Sequence, residues 1–238
     1  MNKVLVTAGN TRIPIDRVRG IDNIFKGKTG AAIASYFAKK GCNVTLLTSH
    51  PKLVAPEHNL NVIGFDTYDS LVNLMELEIK TNTYGVVIHS AAVSDYRVEG
   101  TYRQIGESVD VEGHLLNELA KLDSSGKIGS DHQELWMKLV PTIKIVDQIR
   151  SPWRFHWTLV KFKLQVGMSN EELIEVATRS MKHSGADFIV ANTLEGMNQG
   201  AFIISAKEGA FIISAKGGAP VCVNREGLPA ALYKEISV

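Results

Sequence analysis

The sequence has few of the features that would place it in a specialised class. Two cysteines in 238 residues, Cys42 and Cys222, cannot build a disulfide framework, and neither sits at a metal-binding spacing. Both read as reduced thiols. Net charge is nearly absent, with Lys+Arg 26 against Asp+Glu 25. That balance argues against a dedicated nucleic-acid or membrane-surface binder, which needs a basic excess. No apolar run approaches the roughly 20 residues that span a bilayer. The chain runs straight into Lys3-Val4-Leu5-Val6-Thr7 with no leader pattern, so the expectation is a cytoplasmic protein with no membrane contact. What the chain does have is ordinary: 45% hydrophobic and 21% charged residues, enough for a sizeable core.

Strand-like runs occur at Val4 to Thr7, Val44 to Thr48, Val62 to Phe65 and Val86 to His89. Between the first two, Thr29 to Gly41 reads as a small-residue helix with basic residues in its last turn and Gly41 as its stop. Asp66 to Lys80 supplies another helix. Alternating strands and helices imply an α/β fold with a Rossmann-like, doubly wound, mainly parallel sheet. Ligands of such sheets bind beyond the carboxyl ends of the strands, here Thr7 to Arg12 and Ser90 to Arg97.

Residues 99 to 130 are polar and glycine-dotted and read as a flap or insertion, helical only near His114 to Leu122. Trp153 to Gln165 is strand-like, Asn170 to His183 helical, and Asp187 to Asn192 a buried strand. Gly200 to Lys207 recurs unchanged as Gly209 to Lys216, which suggests two adjacent strands turning at Lys207-Glu208-Gly209. The whole is expected to be one domain over 1–238 with a C-terminal β extension from about 196.

Several motifs fail on inspection. Gly27-Lys28-Thr29 lacks the P-loop's earlier glycine, because position 22 is Asp22. Thr7-Ala8-Gly9-Asn10-Thr11 offers only Gly9 where a dinucleotide fingerprint needs three glycines, so a standard nicotinamide site is disfavoured. Tyr36 and Lys40 have a short-chain dehydrogenase spacing but lie on the first crossover helix, far from where that chemistry occurs. The segment from Arg12 to Gly30 is more informative. A turn from strand to crossover helix usually takes two to six residues. This one is much longer, carries Asp16, Arg19, Asp22, Asn23, Lys26, Gly27, Lys28 and Gly30, and ends at a helix N-terminus, where backbone N–H groups and the dipole favour an anion. In Ser90 to Tyr96, small residues leave room for a ligand against bare backbone, and Asp95 could bond hydroxyls or hold a cation.

At these residues the chain resembles a known family. Val6-Thr7-Ala8-Gly9, Ile15-Asp16 with Val18-Arg19, Asp22-Asn23 with Gly27 to Gly30, and Ala91 to Tyr96 are similar to phosphopantothenoylcysteine synthetase, the phosphopantothenate–cysteine ligase of coenzyme A biosynthesis. Ser125 to Ile128, Leu139 to Thr142 with Lys144-Ile145, Phe162 to Leu164 and Ile189 to Asn192 follow in the family's order. The resemblance implies that CTP or ATP activates the carboxylate of 4′-phosphopantothenate as an acyl-nucleotidylate, with loss of pyrophosphate, before the amine of L-cysteine displaces the nucleotide. It assigns Lys127 to triphosphate neutralisation together with Mg²⁺, and Asn23 to the acyl intermediate. Gly9, Gly27, Gly30, Phe162 and Asn192 fall to the nucleotide, and Ala91, Ala92 and Asp95 to phosphopantothenate. Arg19 would reach the neighbouring subunit's site, which makes a homodimer part of the chemistry.

The chain departs from the family at Phe25-Lys26, where two serines are usual, at Asn10, usually glycine, and at Gln165-Val166, usually an acidic residue and a threonine. Lys26 could compensate for lost hydroxyls. No decarboxylase precedes this domain, so a separate phosphopantothenoylcysteine decarboxylase is expected in the pathway. The rival readings are an NAD(P)-dependent oxidoreductase and a non-catalytic nucleotide-binding protein.

Overall fold

Strands buried on both faces read as near-continuous apolar runs, and the runs of this chain assemble in that way. The computed structural model describes residues 3–206 and 222–237. β1 (Lys3–Ala8) is followed by a short antiparallel hairpin of β2 (Arg12–Pro14) and β3 (Gly20–Asp22), and then by α1 (Lys28–Lys39). β4 (Asn43–Thr48), a 3₁₀ turn at Pro51–Leu53, β5 (Leu60–Gly64), α2 (Tyr68–Thr81) and β6 (Val86–His89) complete the first half. β7 (Tyr96–Val109), β8 (Leu115–Lys121) and β9 (Trp136–Pro141) form a separate three-stranded antiparallel sheet. The chain returns through α3 (Ile145–Arg150), β10 (Thr158–Gln165), α4 (Asn170–Ser184) and β11 (Phe188–Thr193) to β12 (Ala201–Ser205), β13 (Cys222–Val223) and α5 (Leu228–Ile236).

Among the described residues the main sheet has the order β13-β12-β11-β10-β6-β1-β4-β5. β5 through β11 are parallel; β12 and β13 join antiparallel at one edge. This is the doubly wound arrangement, with its switch point between β1 and β6. Alternation sorts the side chains. Val4, Val6, Val44, Leu46 and Ile88 pack with Ile33 and Phe37 of α1 and Leu228 and Leu232 of α5. Leu5, Val87, Leu159 and Ile189 face Leu71 and Met75 of α2, Ile149 of α3 and Leu173 of α4. Cys42 lies in the first of these cores, where burial pushes its thiol above the ordinary value and makes it unreactive. The Cys222 side chain lies outside what is described.

The fold class stands as expected from sequence, with several corrections to its parts. The 99–130 segment is not an irregular flap with a helix at His114 to Leu122; β7 and β8 pair from Tyr102↔Lys121 to Val109↔Leu115, and irregular chain is confined mainly to 122–135. Arg12 to Gly30 is not one continuous loop, since it contains the β2–β3 hairpin. Trp153 and Phe155 do not belong to a strand: they are 5% exposed in the turn before β10 and fill the α3–α4 core. The first copy of the C-terminal repeat is β12; the second copy and the turn at Lys207-Glu208-Gly209 lie outside the described residues. The β extension also carries a helix, α5, whose Tyr233 ring meets Phe37 edge-on at 5.1 Å between centroids. Tyr36 lies at the core edge and Lys40 on the surface, with the Lys40 ammonium 5.4 Å above the Tyr36 ring.

Candidate functional site

The carboxyl ends of β1 and β6 converge with the start of α1. Gly9 adopts φ 88° and Gly27, the N-cap of α1, φ 74°, both in the left-handed region that favours glycine. Here two pieces of backbone cross. A Cβ built on Gly27 would lie 1.9 Å from the Gly9 nitrogen, and one on Gly9 would lie 2.2 Å from Ser49 Oγ. Gly30 meets the same turn, with its Cβ position 2.9 Å from the Thr7 carbonyl oxygen. The three glycines assigned to nucleotide binding therefore sit together, and packing of chain on chain already requires them.

α2 and α4 each carry a capping box, at Thr67/Ser70 and Ser169/Glu172. α1 has neither a side-chain cap nor an acidic residue in its first turn, and its start, at Gly30, lies against Thr7 and Ser90 at the β1 and β6 ends, so among the described residues its leading N–H groups are left uncapped by side chains.

Two threonines join the halves of the crevice. Thr7 Oγ1 accepts from the backbone N–H groups of Ser90 and Ala91, both at 3.1 Å, and lies 2.9 Å from His89 Nδ1. With both lone pairs used, the hydroxyl donates to Nδ1, which leaves the imidazole proton on Nε2. Thr11 Oγ1 accepts from Ser94 N at 2.9 Å, while Thr11 N donates to the Ala92 carbonyl and Ala92 N to the Gly9 carbonyl, at 3.2 and 2.8 Å. Ala91 and Ala92 are thereby fixed against the Gly9 turn. Asp95 is exposed beyond them and anchored through its carbonyl, which accepts from Thr142 N at 2.9 Å.

Asn10 is 7% exposed and engaged through both ends of its side-chain amide. Its Oδ1 accepts from Ser49 Oγ at 3.2 Å and lies 3.0 Å from His50 Nε2, and its Nδ2 donates to the Asn23 carbonyl at 2.9 Å. The Asn23 side chain is exposed and accepts from Phe25 N at 3.2 Å. On β10 and β11, Phe162 packs into the α1-side core and Asn192 lies two residues beyond Val190 on that same face, opposite Leu164 in the register. Lys127 is exposed on the 122–135 loop. Arg19 is engaged within its own chain, with Asp16 and with the Ile128 carbonyl. The nucleotide and phosphopantothenate assignments thus gather at one end of the sheet, and Arg19 and Lys127 form a neighbouring group.

Sequence reading missed a buried polar row beside this end. Thr7, His89 and Lys161 lie side by side on β1, β6 and β10, 0%, 8% and 7% exposed. Lys161 Nζ donates to Ser180 O, Ser180 Oγ and Ser184 Oγ at 3.1, 3.0 and 3.2 Å. Burial holds its ammonium down at about 8, against partial support from Asp147; burial and then the Lys161 charge hold His89 down at about 4. The only sequence signal was a lysine interrupting an apolar strand. Both shifts make stability rise with pH. The unfolded chain binds the extra proton between about 4 and 6.5 at His89, and between about 8 and 10.5 at Lys161. Lys161→Met is therefore expected to stabilise the protein at pH 7 by about 1–3 kcal/mol and to flatten the alkaline rise, because Ser184 Oγ keeps the Ser180 and Met181 carbonyls. Urea titrations from pH 5 to 10 measure this; a destabilised variant with an unchanged alkaline slope defeats it.

Among the described residues no group of three or more His, Cys, Asp or Glu side chains could hold a metal ion, and no helix is long and apolar enough to cross a membrane.

Known proteins resemble this chain in sequence and in fold. Residues 1–108 match the DNA/pantothenate metabolism flavoprotein C-terminal domain family. The coenzyme A biosynthesis bifunctional protein CoaBC of Thermococcus kodakarensis is 37% identical over 195 residues, covering 81% of this chain and 41% of that protein. CoaBC of Mycobacterium tuberculosis is 28% identical over 196 residues, with 81% and 42% covered. The chain spans about two fifths of the length of these curated relatives. Among solved structures, the DNA/pantothenate metabolism flavoprotein from Streptococcus pneumoniae superposes with a TM-score of 0.77 at 24% identity, covering 100% of this chain and 99% of that one. A Cab2 variant in complex with phosphopantothenate-cysteine gives 0.67 at 17% identity, covering 99% and 86%. These last two likenesses concern the fold, while the family match covers residues 1–108. In its first 108 residues, which hold the crossed glycines of the switch point, the chain matches the flavoprotein C-terminal domain family, and its likeness to CoaBC keeps the resemblance to phosphopantothenoylcysteine synthetases.

Proposed function

We propose that this protein joins 4′-phosphopantothenate to L-cysteine, using CTP or ATP and forming an acyl-nucleotidylate with release of pyrophosphate. The observation that carries the reading is the uncapped N-terminus of α1 crossing the Gly9 turn, in a chain 37% identical to a CoaBC protein. That terminus suits a polyphosphate, since its N–H groups and dipole favour negative charge. Phe162 and Asn192, on the same face of the sheet, would flank the nucleotide. Ala91, Ala92 and Asp95 would border phosphopantothenate, with Thr7 and Thr11 holding that strip of backbone in place.

Mg²⁺ enters this scheme with the triphosphate as substrate. Magnesium is commonly held by one or two carboxylates plus phosphates, and Asp95, exposed at this end, is compatible with that mode. Lys127 would meet the triphosphate from the loop side and offset the repulsion between a carboxylate and a polyanion. A homodimer fits the same reading. Exposed Leu115 and Leu119 of β8 and Trp136 of β9 share one face of the three-stranded sheet by its register and give it an apolar surface suited to a second copy.

The test is pyrophosphate release with phosphopantothenate, cysteine and each triphosphate in turn. Release that requires phosphopantothenate supports the ligase; none with any triphosphate overturns it. In that assay Lys127→Gln is expected to slow pyrophosphate release by about 10²-fold or more while sparing amide formation from preformed acyl-nucleotidylate. Equal slowing of both half-reactions contradicts the assignment.

A further inference from the structure

A buried carboxylate joins the turn after β2 to the loop carrying Lys127. The Asp16 side chain is fully buried, 0% exposed. It accepts from Val18 N and Arg19 N at 2.8 and 2.7 Å, which closes a local turn, and from Arg19 Nε and Nη2 at 2.9 and 2.5 Å. Its fifth donor comes from far along the chain: Ile128 N, at 3.1 Å. Arg19 Nη2 also donates to the Ile128 carbonyl at 2.8 Å, and Arg17 N to the Gly126 carbonyl at 3.2 Å. Ile128 is 3% exposed. Gly126 and Ile128 are thus fastened on either side of Lys127, which itself remains exposed. The surrounding donors, Arg19 first, hold the Asp16 carboxyl far below the usual carboxylate range, so it stays ionised wherever the protein is folded.

We propose that Asp16, acting with Arg19 of the same chain, is a positioning residue that latches the 126–128 segment and so fixes where the Lys127 ammonium stands. The function of the latch rests on the reading of Lys127 as the group that neutralises the triphosphate. A lysine on a released loop spreads its charge over many conformers, and each productive encounter must first order the segment. Hydrogen bonds to a charged acceptor are stronger than neutral ones, so this carboxylate can hold a loop that has little regular structure of its own.

Asp16→Asn separates latch from turn. Its remaining oxygen can still accept from Val18 N and Arg19 N, but the second carboxylate oxygen, which takes Ile128 N and the guanidinium, becomes an NH₂ donor. Trypsin reads the latch without reference to activity: cleavage after Lys127 requires the buried Ile128 to come out, so its rate follows the open population. Cleavage at Lys127 in the Asp16→Asn chain is expected to rise about 10-fold or more. The second measurement is a double-mutant cycle on pyrophosphate release. Asp16→Asn alone should lower kcat about 10-fold or more with KM for phosphopantothenate changed less than about twofold, yet add nothing in a Lys127→Gln background. Unchanged cleavage at Lys127 overturns the latch, whatever the activity. Faster cleavage with additive kinetic losses overturns Lys127 as its target. If the parent chain releases no pyrophosphate, the ligase reading fails and cleavage still decides the latch. Should Asp16→Asn lose its far-ultraviolet circular dichroism, Arg19→Lys, which cannot span both Asp16 and the Ile128 carbonyl, decides by the same cleavage assay.

Discussion

Gly27→Ala is expected to be among the most damaging single substitutions in this chain, costing about 2–5 kcal/mol of stability and abolishing nucleotide binding. Two costs combine. An L side chain in the left-handed region costs about 1–2 kcal/mol, and Gly27 sits there at φ 74°. The new Cβ would also fall 1.9 Å from Gly9 N, 2.6 Å from Gly9 Cα and 2.8 Å from the Ala8 carbonyl carbon. All of these are backbone atoms of β1 and its turn, so relief requires the strand end or the helix start to move, an overpacking strain of about 1–3 kcal/mol. Either shift displaces the N–H groups on which the proposed phosphate site depends. Gly41→Ala is the control. Gly41 has φ 86° but nothing within 4 Å of its Cβ position, so it should lose only the conformational cost, about 1 kcal/mol, and retain binding. Urea midpoints and calorimetric titration with CTP and ATP measure both; equal effects of the two substitutions refute the crossing argument.

The same glycines show how far the sequence could be read. In the sequence Gly27 and Gly30 stand at a helix N-terminus suited to an anion, and the family resemblance ties them and Gly9 to a nucleotide. The backbone crossing is a nearer cause, invisible in sequence because Gly9 and Gly27 meet only after β1, the hairpin and α1 have folded. The central strands are legible because β1, β4 and β6 are buried on both faces and read as near-continuous apolar runs. The three-stranded sheet was not, because its strands are exposed along much of their length and carry no burial signature. β8 was misread for a specific reason: Leu115, Leu116, Leu119 and Leu122 recur at helical spacing, while pairing with β7 decides the outcome. Thr7 and Thr11 are ordinary strand and turn residues in sequence. Their importance comes from partners more than eighty residues away, at Ser90, Ala91 and Ser94. Arg19 was read through family likeness as a group for the neighbouring subunit; here its guanidinium is occupied by Asp16 and Ile128 of its own chain.

Asn23→Ala should behave in the opposite way to Gly27→Ala, keeping the fold and the nucleotide but losing the product. The Asn23 backbone is placed through its carbonyl, which accepts from Asn10 Nδ2 at 2.9 Å, and Asn10 is in turn held by Ser49 and His50. Nothing in that chain of contacts uses the Asn23 side chain. Among the described residues its side chain is bonded by Phe25 N at 3.2 Å, an exposed contact, so water replaces it when the amide is removed and stability should change by less than about 0.5 kcal/mol. The proposed chemistry would depend on the amide differently. A neutral donor beside an acyl oxygen stabilises developing charge without adding to the repulsion around a triphosphate, and loss of one such donor costs about 10²–10³ in rate. Asn10→Ala supplies the intermediate case. It frees the Asn23 carbonyl and loosens the Ser49–His50 contacts, and should lower turnover about 10-fold through misplacement rather than removal of the amide. Product formation measured beside nucleotide affinity distinguishes these outcomes. Near-normal ligation by Asn23→Ala removes the residue from the mechanism, and weakened nucleotide binding with unchanged turnover moves it to the phosphate side of the site.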